Sequence, residues 1–377
     1  MLSFKKKALS LFKIAGIEVN GSKPWDIQVY NENFYERTLK YASLGFGESY
    51  MDGWWSVEQL DVFLAKVFDA NLENKIKPIT MLPYLLKANF VNIQKGKRAF
   101  EVGQVHYDVG NDLYSKMLDR RMTYTCAYWD EYGNLAKADT LDAAQENKLD
   151  MICQKLDLKA GDKVLDIGCG WGSFMRYAAE KYGVNCVGIS VSNEQVKRGN
   201  ETKGDLPIEF RLQDYRDIHE TFDHIVSIGM FEHVGYKNYR TYMKIVEKNL
   251  KDNGLFLLHT IGTNVSAKIT DPWIHKYIFP NSVLPSAVQI SKAVEKLFVI
   301  EDWHNFGIQY DRTLITWYDN FKKAWPRLKD TYDERFYKMW KFYLLSSAAT
   351  FRTRQSQVWQ IVLSKHGKHN GYKRICQ

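Results

Sequence analysis

The order of apolar and polar residues after about residue 106 predicts strands and helices in alternation. Short apolar runs predict strands at 163–168, 185–190, 208–213, 222–228, 255–261, 298–303 and 356–364. Between them, apolar residues at helical spacing predict helices near 173–183, 192–202, 238–250, 287–297, 311–324 and 333–352. This alternation is typical of an α/β fold with a mostly parallel sheet that helices cover on both faces. We expect the last strand, 356–364, to lie antiparallel at an edge of the sheet.

The residues before this series predict a different kind of domain. Residues 1–95 show no strand-like alternation and predict a smaller, mainly helical N-terminal domain. The basic stretch NIQKGKRAF, residues 92–100, is typical of an exposed connection, so we place a linker at 96–105. The remaining residues, 106–377, form the second domain, and two domains fit a length of 377 residues.

A glycine-rich turn follows the first predicted strand of the second domain. The stretch VLDIGCGWGSF, residues 164–174, runs from a buried strand through Gly168, Gly170 and Gly172 into a helix. A dinucleotide site would need the spacing GxGxxG and an acidic residue at the end of the second strand. This sequence has GxGxG, and its second strand ends in GIS, which disfavours a pyrophosphate ligand. S-adenosyl-L-methionine, a nucleoside without phosphates, fits because glycines let the backbone approach its methionine part.

Together with the strand series, this turn predicts a class I methyltransferase fold, which is a Rossmann-like, doubly wound and mostly parallel seven-stranded sheet. In such a sheet the ligand lies beyond the carboxyl ends of the strands. The candidate residues at these ends are Gly168 to Gly172, Ser190, Gln213, Asp214, the stretch GMFEHVG at 229–235, and His259. Gln213 and Asp214 can hydrogen-bond adenine.

Several candidates also have a purely structural explanation. Gln195 follows Ser192 by three residues, as in a capping box that begins the next helix. His259 lies within an apolar run and fits a core histidine, and Glu232 fits a helix cap or a salt bridge. Cys126 has no base beside it in the sequence, so a small buried thiol explains it better than a nucleophile.

Composition adds a moderately basic character. The formal net charge of +8 fits an anionic membrane surface, but the lysines and arginines are too dispersed for a nucleic-acid site. Five cysteines without CxxC spacing argue against a disulfide framework or a metal site and for a reducing cytoplasm.

No apolar run is long enough to span a membrane. The N-terminal stretch FKKKALSLFKIAG fits either an interfacial helix or a helix packed on its own domain. The oligomeric state stays open, a homodimer included.

Eight stretches together resemble the bacterial cyclopropane-fatty-acyl-phospholipid synthases. They are HYDVGNDLY (106–114), YTCAYW (124–129), VLDIGCGWG (164–172), LQDYRD (212–217), GMFEHVG (229–235), LLHTIG (257–262), DPWIHKYIFP (271–280) and EDWHNFG (301–307). The resemblance continues through SLGFGESYMDGWW (43–55), so it covers nearly the whole sequence. Smaller relatives that modify mycolic acids lack a comparable N-terminal domain, which favours phospholipids as substrates.

The resemblance implies transfer of a methyl group from S-adenosyl-L-methionine to a cis double bond in an acyl group of a phospholipid, followed by closure of a cyclopropane ring. It implies a bicarbonate ion as the base, held by Cys126, Glu232, His259, the backbone of Ile261, and Tyr310. The implied cofactor contacts are Tyr124, Thr125, Gly168, Gly170, Ser190, Gln195, Gln213 and Asp214. Because the double bond lies inside the bilayer, the enzyme would bind peripherally at the cytoplasmic face of the membrane.

Two other functions remain open from the residues alone. A C-methyltransferase that acts on acyl groups could reduce the same carbocation and give a branched product. A lipid-binding protein without activity could also use a methyltransferase fold, although it would be expected to have lost Glu232 or the glycines.

Overall fold

The computed structural model describes residues 2–75, 110–130 and 135–374. The predicted linker at 96–105 lies outside these residues. The protein divides into two compact units. The N-terminal unit contains Met1–Val91, Lys268–Pro280 and Leu314–Ser356, and the sheet unit contains Asn92–Ala267, Asn281–Thr313 and Gln357–Gln377. Two segments of the predicted second domain are therefore grouped with the N-terminal residues.

The N-terminal unit is mainly helical. Its helices are Leu2–Ile14, Asn33–Met51, Leu60–Asp69, Leu72–Lys75, Pro272–Tyr277, Glu334–Arg352 and most of Ile308–Ala324. Two short strands, β1 (Gln28–Val29) and β2 (Trp55–Ser56), pair in antiparallel fashion. None of the described helices is long and apolar enough to cross a membrane.

The first helix, Leu2–Ile14, packs within its own unit. Ala8, Leu11 and Phe12 recur at helical spacing and are buried, and the Phe12 ring stacks on Phe34 with 6.3 Å between centroids. The exposed residues of the helix include Lys6, Lys7, Leu9, Lys13 and Ile14. The apolar side of this helix is therefore used in the core, whereas its lysines remain in solvent.

The sheet unit contains the predicted seven strands, which is a confirmed feature of the fold. They are β3 (Lys163–Ile167), β4 (Asn185–Ser190), β5 (Ile208–Leu212), β6 (Phe222–Ile228), β7 (Leu250–Thr263), β8 (Val299–Asn305) and β9 (Ser356–Ser364). Their order is β5-β4-β3-β6-β7-β9-β8. The pairs β5–β4, β4–β3, β3–β6 and β6–β7 are parallel, and β8–β9 is antiparallel.

Helices accompany the strands, and both faces of the sheet are buried. The helices are Asn111–Met117, Leu141–Lys155, Ser173–Tyr182, Asn193–Thr202, Tyr239–Asn249 and Ala287–Val294. Alternate residues of one strand enter opposite core clusters, so Leu165 lies in one cluster and Val164 in the other. The order of strands reverses at β3, which lies between β4 and β6, and this is where such sheets bind ligands.

The prediction that 356–364 is an edge strand is wrong. β9 lies between β7 and β8, and all nine of its residues are buried. The edge strand is β8, of which only Asp302 is buried. Burial on both faces is typical of an interior strand, so β9 and not β8 occupies the interior position.

Candidate active site

The glycine turn lies at the carboxyl end of β3, where the strand order reverses. Gly168, Gly170 and Gly172 have φ angles of +84°, +55° and +80°, which is a region that favours glycine. The backbone N–H groups of Gly168 and Cys169 both donate to Ile189 O, at 3.0 and 3.1 Å. These bonds hold the turn against the end of β4.

The three glycines are required for different physical reasons. A Cβ on Gly168 would lie 2.6 Å from Met230 Cβ, and a Cβ on Gly172 would lie 2.3 Å from Phe210 Cζ. A Cβ on Gly170 would meet none of the described atoms within 4 Å. Packing therefore requires glycine at two of the positions, whereas no described atom packs against the Cβ position of Gly170.

The side chain of Gln195 is buried beside the end of β4. Ser190 Oγ donates to Gln195 Oε1 at 2.8 Å, and Gln195 N donates to Ser192 Oγ at 3.4 Å. One of the two hydrogen bonds of the predicted capping box is therefore present, from Gln195 N to Ser192 Oγ. The other is absent, because the Gln195 side chain binds Ser190 and not the backbone of Ser192. Gln195 Nε2 is buried without a partner among the described residues, so it is available to donate to a ligand.

Gln213 and Asp214 follow β5 at the predicted edge of the sheet. Gln213 N donates to Ser190 O at 3.0 Å, which ties this segment to β4. Gln213 Nε2 donates to Asp217 O at 2.7 Å. Asp214 accepts from the backbone and the guanidinium of Arg216, at 2.9 and 2.8 Å. The structure thus places both residues beside Ser190, with the Gln213 amide nitrogen engaged within the protein.

Tyr124 is linked to the glycine turn by a second tyrosine. Its ring lies edge-on to the Tyr114 ring with 5.1 Å between centroids, and the Tyr114 ring lies 5.2 Å from the Trp171 ring. Because Trp171 is part of the glycine turn, these ring contacts connect Tyr124 to that turn through Tyr114.

Thr125 is held by the helix Leu141–Lys155. Lys148 Nζ donates to Thr125 Oγ1 at 2.9 Å, and Gln145 Nε2 donates to Thr125 O at 2.8 Å. Thr125 Cγ2 also lies 2.7 Å from the position of a Cβ on Gly229. Thr125 therefore joins this helix to the residues that follow β6.

Lys148 is a buried cation that the sequence analysis missed. Its side chain is fully buried, and burial lowers its pKa to about 8. The negative charges of Asp119 and Asp166 act in the other direction and raise this pKa. Burial raises the pKa of Asp166 to about 7, and Lys148 opposes that shift. The signal in the sequence is position, because Lys148 follows Ala144 by four residues and precedes Ile152 by four, within an apolar stripe.

Cys126 has the properties of a structural thiol. It is fully buried, and its Sγ donates to Ala127 O at 3.2 Å. Burial raises the pKa of the Cys126 thiol far above its ordinary value. Because the thiolate is the nucleophilic form, this site does not favour covalent catalysis.

Tyr310 is buried in the first turn of the helix Ile308–Ala324. The same helix contacts the segment after Cys126, because Ala127 N donates to Thr313 Oγ1 at 3.2 Å. Tyr310 precedes Thr313 by three residues, so the two lie on neighbouring positions of one helix face. The structure thus brings Tyr310 and Cys126 to the same part of the sheet unit.

Glu232 lies in the short turn Phe231–His233 after β6 and is 5% exposed. Its Oε1 accepts from Ile261 N at 2.6 Å, whereas Oε2 is buried without a partner among the described residues. Burial raises the pKa of Glu232 to about 7, and the bond from Ile261 N–H opposes that shift. Oε2 is therefore the atom of this carboxyl that no described residue engages.

His259 is a buried, neutral histidine in β7. Its Nδ1 lies 3.3 Å from Nε2 of Gln360, a fully buried residue of β9. Burial, together with the charges of Lys148 and Lys155, keeps the pKa of His259 well below its ordinary value. Sequence reasoning also missed Gln360, for which the only signal was an amide in an otherwise apolar strand.

Contacts at the ends of β3, β6 and β7 bring the predicted groups together. Gly168 adjoins Met230, the residue after Gly229, and Gly229 N donates to His259 O at 2.9 Å. Glu232, two residues beyond Met230, is bonded to the strand that contains His259. The predicted cofactor turn and the predicted base site are therefore adjacent. The resemblance implied that the backbone of Ile261 holds bicarbonate. In the structure, Ile261 N–H instead donates to Oε1 of Glu232.

The doubly wound sheet and the glycine-rich turn after β3 are features of class I S-adenosyl-L-methionine-dependent methyltransferases. Mycolic acid cyclopropane synthase CmaA1, solved with SAH and CTAB, matches with a TM-score of 0.65 and 30% identity over 71% of this protein and 98% of that one. The cyclopropane synthase MmaA2 from Mycobacterium tuberculosis matches with the same TM-score and coverage at 29% identity. The predicted class I methyltransferase fold is thereby confirmed.

The sequence matches the mycolic acid cyclopropane synthetase family over residues 94–361, and the protein belongs to this family. Cyclopropane-fatty-acyl-phospholipid synthase from Escherichia coli (strain K12) is 51% identical over 373 residues, which cover 97% of this sequence and 94% of that protein. A probable fatty acid methyltransferase from Pseudomonas putida is 34% identical over 69% of this sequence and 68% of that protein. The resemblance stated from the motifs is confirmed.

Proposed function

We propose that this enzyme transfers a methylene unit from S-adenosyl-L-methionine to the cis double bond of unsaturated acyl groups in membrane phospholipids. The observation that carries the proposal is the match to the Escherichia coli phospholipid enzyme over 97% of this sequence. The mycobacterial cyclopropane synthases match only 71% of it. Similarity that includes the N-terminal unit supports a phospholipid substrate over a mycolic acid.

The reaction needs a methyl donor, a dry cavity and a base. The π electrons of the alkene attack the methyl carbon, the bond from that carbon to sulfur breaks, and a carbocation forms on the acyl group. A base then removes a proton from the added methyl group, and the electron pair of that C–H bond closes the ring. The products are the cyclopropane, S-adenosylhomocysteine and the protonated base.

For the methyl donor, the proposed contacts are those predicted from the motifs. Gly170 leaves open space, and Gln195 offers a buried donor, so the residues present suit the donor's size and polarity. The remaining proposed contacts are Tyr124, Thr125, Gly168, Ser190, Gln213 and Asp214. Gln213 and Asp214 each form a hydrogen bond to the turn Tyr215–Asp217. They would contact adenine through polar atoms that these bonds do not use.

For the base, we propose a bicarbonate ion bound by Cys126, Glu232, His259 and Tyr310. Oε2 of Glu232 supports this, because a buried carboxyl oxygen without a described partner is suited to a hydrogen bond from a protonated oxyanion. We assign Ile261 a different part in the site from the one that the resemblance implied. Its N–H holds Oε1 of Glu232 at 2.6 Å and so directs Oε2.

We further propose that the protein binds peripherally at the cytoplasmic face of the membrane. Exposed Lys6, Lys7 and Lys13 of the first helix support attraction to anionic lipid. The substrate supports it independently, since its double bond lies within the bilayer. Sedimentation of the protein without lipid would report whether it forms a homodimer.

Mass spectrometry of treated vesicles tests the function. The protein is incubated with unsaturated phospholipid vesicles and labelled S-adenosyl-L-methionine, and the acyl groups are analysed. We expect each modified acyl group to gain one methylene group and to lose its double bond. A saturated methyl-branched product would instead identify a reducing C-methyltransferase, and unchanged lipid would identify a lipid-binding protein.

Removal of carbon dioxide tests the base. Enzyme in carbonate-free buffer should slow and recover when bicarbonate is added, because general-base catalysis typically contributes about 10²–10⁴-fold. Glu232→Gln should lose most of its activity and of its response to bicarbonate. Cys126→Ser should keep substantial activity, since a hydroxyl replaces a thiol as a hydrogen-bonding group. Full activity without carbonate would return the role of base to a side chain.

A further inference from the structure

His259 and Gln360 form a buried pair between two neighbouring strands. Gln360 lies on β9, which runs between β7 and β8, and His259 lies on β7. Gln360 is 0% exposed and His259 is 2% exposed. Gln360 Nε2 and His259 Nδ1 are 3.3 Å apart. The insertion of β9 into the sheet is therefore what supplies His259 with a polar partner.

This contact has a defined chemical consequence. An amide NH₂ group has two hydrogens and can only donate, so the imidazole nitrogen that faces it must accept. A neutral imidazole has one accepting nitrogen and one protonated nitrogen. If Nδ1 accepts from Gln360, the single ring proton is on Nε2.

The surroundings of His259 also favour a neutral ring. Lys148 and Lys155 are fully buried cations on one helix, seven residues apart, and both oppose a positive charge on His259. Phe306 covers the ring edge-on, with 5.6 Å between centroids. Neither the charges nor the packing would stabilise an imidazolium in this position.

We propose that Gln360 is a positioning residue that holds His259 in the tautomer with its proton on Nε2, so that His259 is a hydrogen-bond donor to an anion and not a proton acceptor. The proposal deepens the proposed function and rests on it for the identity of the anion. A neutral donor can bind bicarbonate without placing a positive charge beside a sulfonium or a carbocation. It also removes His259 as an alternative base, because Nδ1 accepts from Gln360 and Nε2 already has a proton.

Nitrogen NMR of the full-length protein tests the tautomer directly. The protein is labelled with ¹⁵N-histidine, and the His259 signals are assigned from their loss in His259→Asn. We expect a protonated Nε2 and an unprotonated Nδ1 in the wild type between pH 6 and 8. A proton on Nδ1, or a doubly protonated ring, would overturn the proposal without any further variant.

A matched pair of variants tests the part played by Gln360. Gln360→Met keeps the length of the side chain and removes the donor, so we expect the tautomer preference to be lost and the two forms to mix. Gln357→Met changes another buried glutamine of β9, which bonds Asn305 and Asn264 and not His259, and should leave the His259 signals unchanged. Unchanged signals in Gln360→Met, or an equal change in both variants, would contradict the assignment.

Kinetics separate this proposal from the proposed function. In Gln360→Met we expect kcat to fall roughly 10- to 100-fold. This is the size of the loss when a metal-binding histidine of another protein loses the hydrogen bond that orients it. The affinity for S-adenosyl-L-methionine by calorimetry should not change. If activity proves independent of bicarbonate while the Nε2–H tautomer is observed, the proposed base is wrong and the role of Gln360 stands. If bicarbonate is required and the tautomer is reversed, the opposite conclusion follows.

Discussion

At Glu232 the two carboxyl oxygens have different surroundings, and this difference has a measurable effect on stability. Oε1 is bonded to Ile261 N, and Oε2 is buried without a described partner. A charge on this group is poorly compensated, which is why burial raises its pKa to about 7. The unfolded protein ionises the same carboxyl near its ordinary value of 4.5, so ionisation favours the unfolded state in the interval between these values.

We predict that Glu232 makes the protein less stable as the pH rises from 5 to 8. In this interval the unfolded state binds fewer protons than the folded state, so the free energy of unfolding decreases, by roughly 2–3 kcal/mol for this group. Urea denaturation of wild type and Glu232→Gln at both pH values measures the difference. The variant should lose that part of the decrease, whereas Glu194→Gln, a change in an exposed carboxyl, should retain it. Equal pH dependence in wild type and Glu232→Gln would contradict the raised pKa.

The glycine turn shows how far residue-level prediction extends. Its spacing was sufficient to predict a turn after a buried strand, and the structure has positive φ angles at all three glycines of that turn. It could not show that Gly168 is required by Met230 and Gly172 by Phe210, because these partners are distant in the sequence. Among these three glycines, only Gly170 has no described atom near its Cβ position, so it is the position at which a side chain tests for a cofactor contact.

We predict that Gly170→Ala lowers the affinity for S-adenosyl-L-methionine by at least about tenfold, which corresponds to about 1.4 kcal/mol. Gly170→Val should abolish binding. The positive φ of +55° adds a strain of about 1–2 kcal/mol to the folded state, so a matched control is needed. Gly161→Ala is that control, because Gly161 has a φ of +90° and also no described atom near its Cβ position. Calorimetry should show weaker binding in Gly170→Ala, no binding in Gly170→Val and normal binding in Gly161→Ala. Equal affinities in Gly170→Ala and Gly161→Ala would exclude a cofactor contact at Gly170.

At the scale of elements, apolar patterning predicted the strands well and their order less well. The predicted 185–190, 222–228 and 356–364 agree with β4, β6 and β9 to the residue. The neighbours of β9 could not be deduced from its alternation, since alternation shows which faces are buried and not which strand lies alongside. Its nine consecutive buried residues explain its interior position, and that position places Gln360 against His259.

The helix Leu141–Lys155 illustrates a second limit. Its apolar residues recur at helical spacing, which is typical of a packed face, but that spacing does not show that Lys148 and Lys155 belong to the buried face. Lys148 holds Thr125 and compensates the charges of Asp119 and Asp166. Helical periodicity treats a lysine as a solvent residue, so a buried one is recognised only when its partners are known.

We predict that Lys148→Met both destabilises the protein and weakens binding of S-adenosyl-L-methionine. Loss of one partner from a buried charge cluster typically costs about 3–5 kcal/mol, and protonation of Asp166 would lessen this cost. Binding should weaken because Thr125 loses its bond from Nζ. Lys181→Met, at an exposed lysine, serves as the control. Urea unfolding and calorimetry should show both losses in Lys148→Met only, and normal cofactor affinity in that variant would show that Thr125 needs no support from Lys148.

At the scale of the whole molecule, the grouping of segments is what the sequence could not reveal. Aromatic residues that follow Trp303 in the sequence include side chains of the N-terminal unit. Phe342, in the helix Glu334–Arg352, contacts Phe46 and Trp273 within the N-terminal unit, at 6.1 and 4.8 Å between centroids. Contacts between segments this far apart produce no recognisable pattern in the sequence. We therefore expected one contiguous domain at 106–377, whereas Lys268–Pro280 and Leu314–Ser356 are grouped with the N-terminal residues.

The first helix links this unit to the proposed membrane binding. Ala8, Leu11 and Phe12 are used in the core, whereas Leu9 and Ile14 are exposed together with the lysines. We expect the lysines to supply most of the attraction to anionic lipid. Such attraction contributes about 1 kcal/mol for each lysine near an anionic surface. It also weakens with salt, because the Debye length falls from about 10 Å at 0.1 M to about 3 Å at 1 M.

We therefore predict that replacing Lys6, Lys7 and Lys13 together by glutamine weakens binding to anionic vesicles roughly 100-fold at low salt, since three lysines contribute about 3 kcal/mol. Binding of the wild type should also decrease with added salt. Replacing exposed Lys197, Lys244 and Lys248 removes the same charge elsewhere and should change vesicle binding less. Vesicle sedimentation at two salt concentrations measures all three proteins. Equal losses in the two triple variants would mean that net charge, and not the first helix, attracts the membrane, whereas salt-independent binding of the wild type would indicate insertion of apolar residues.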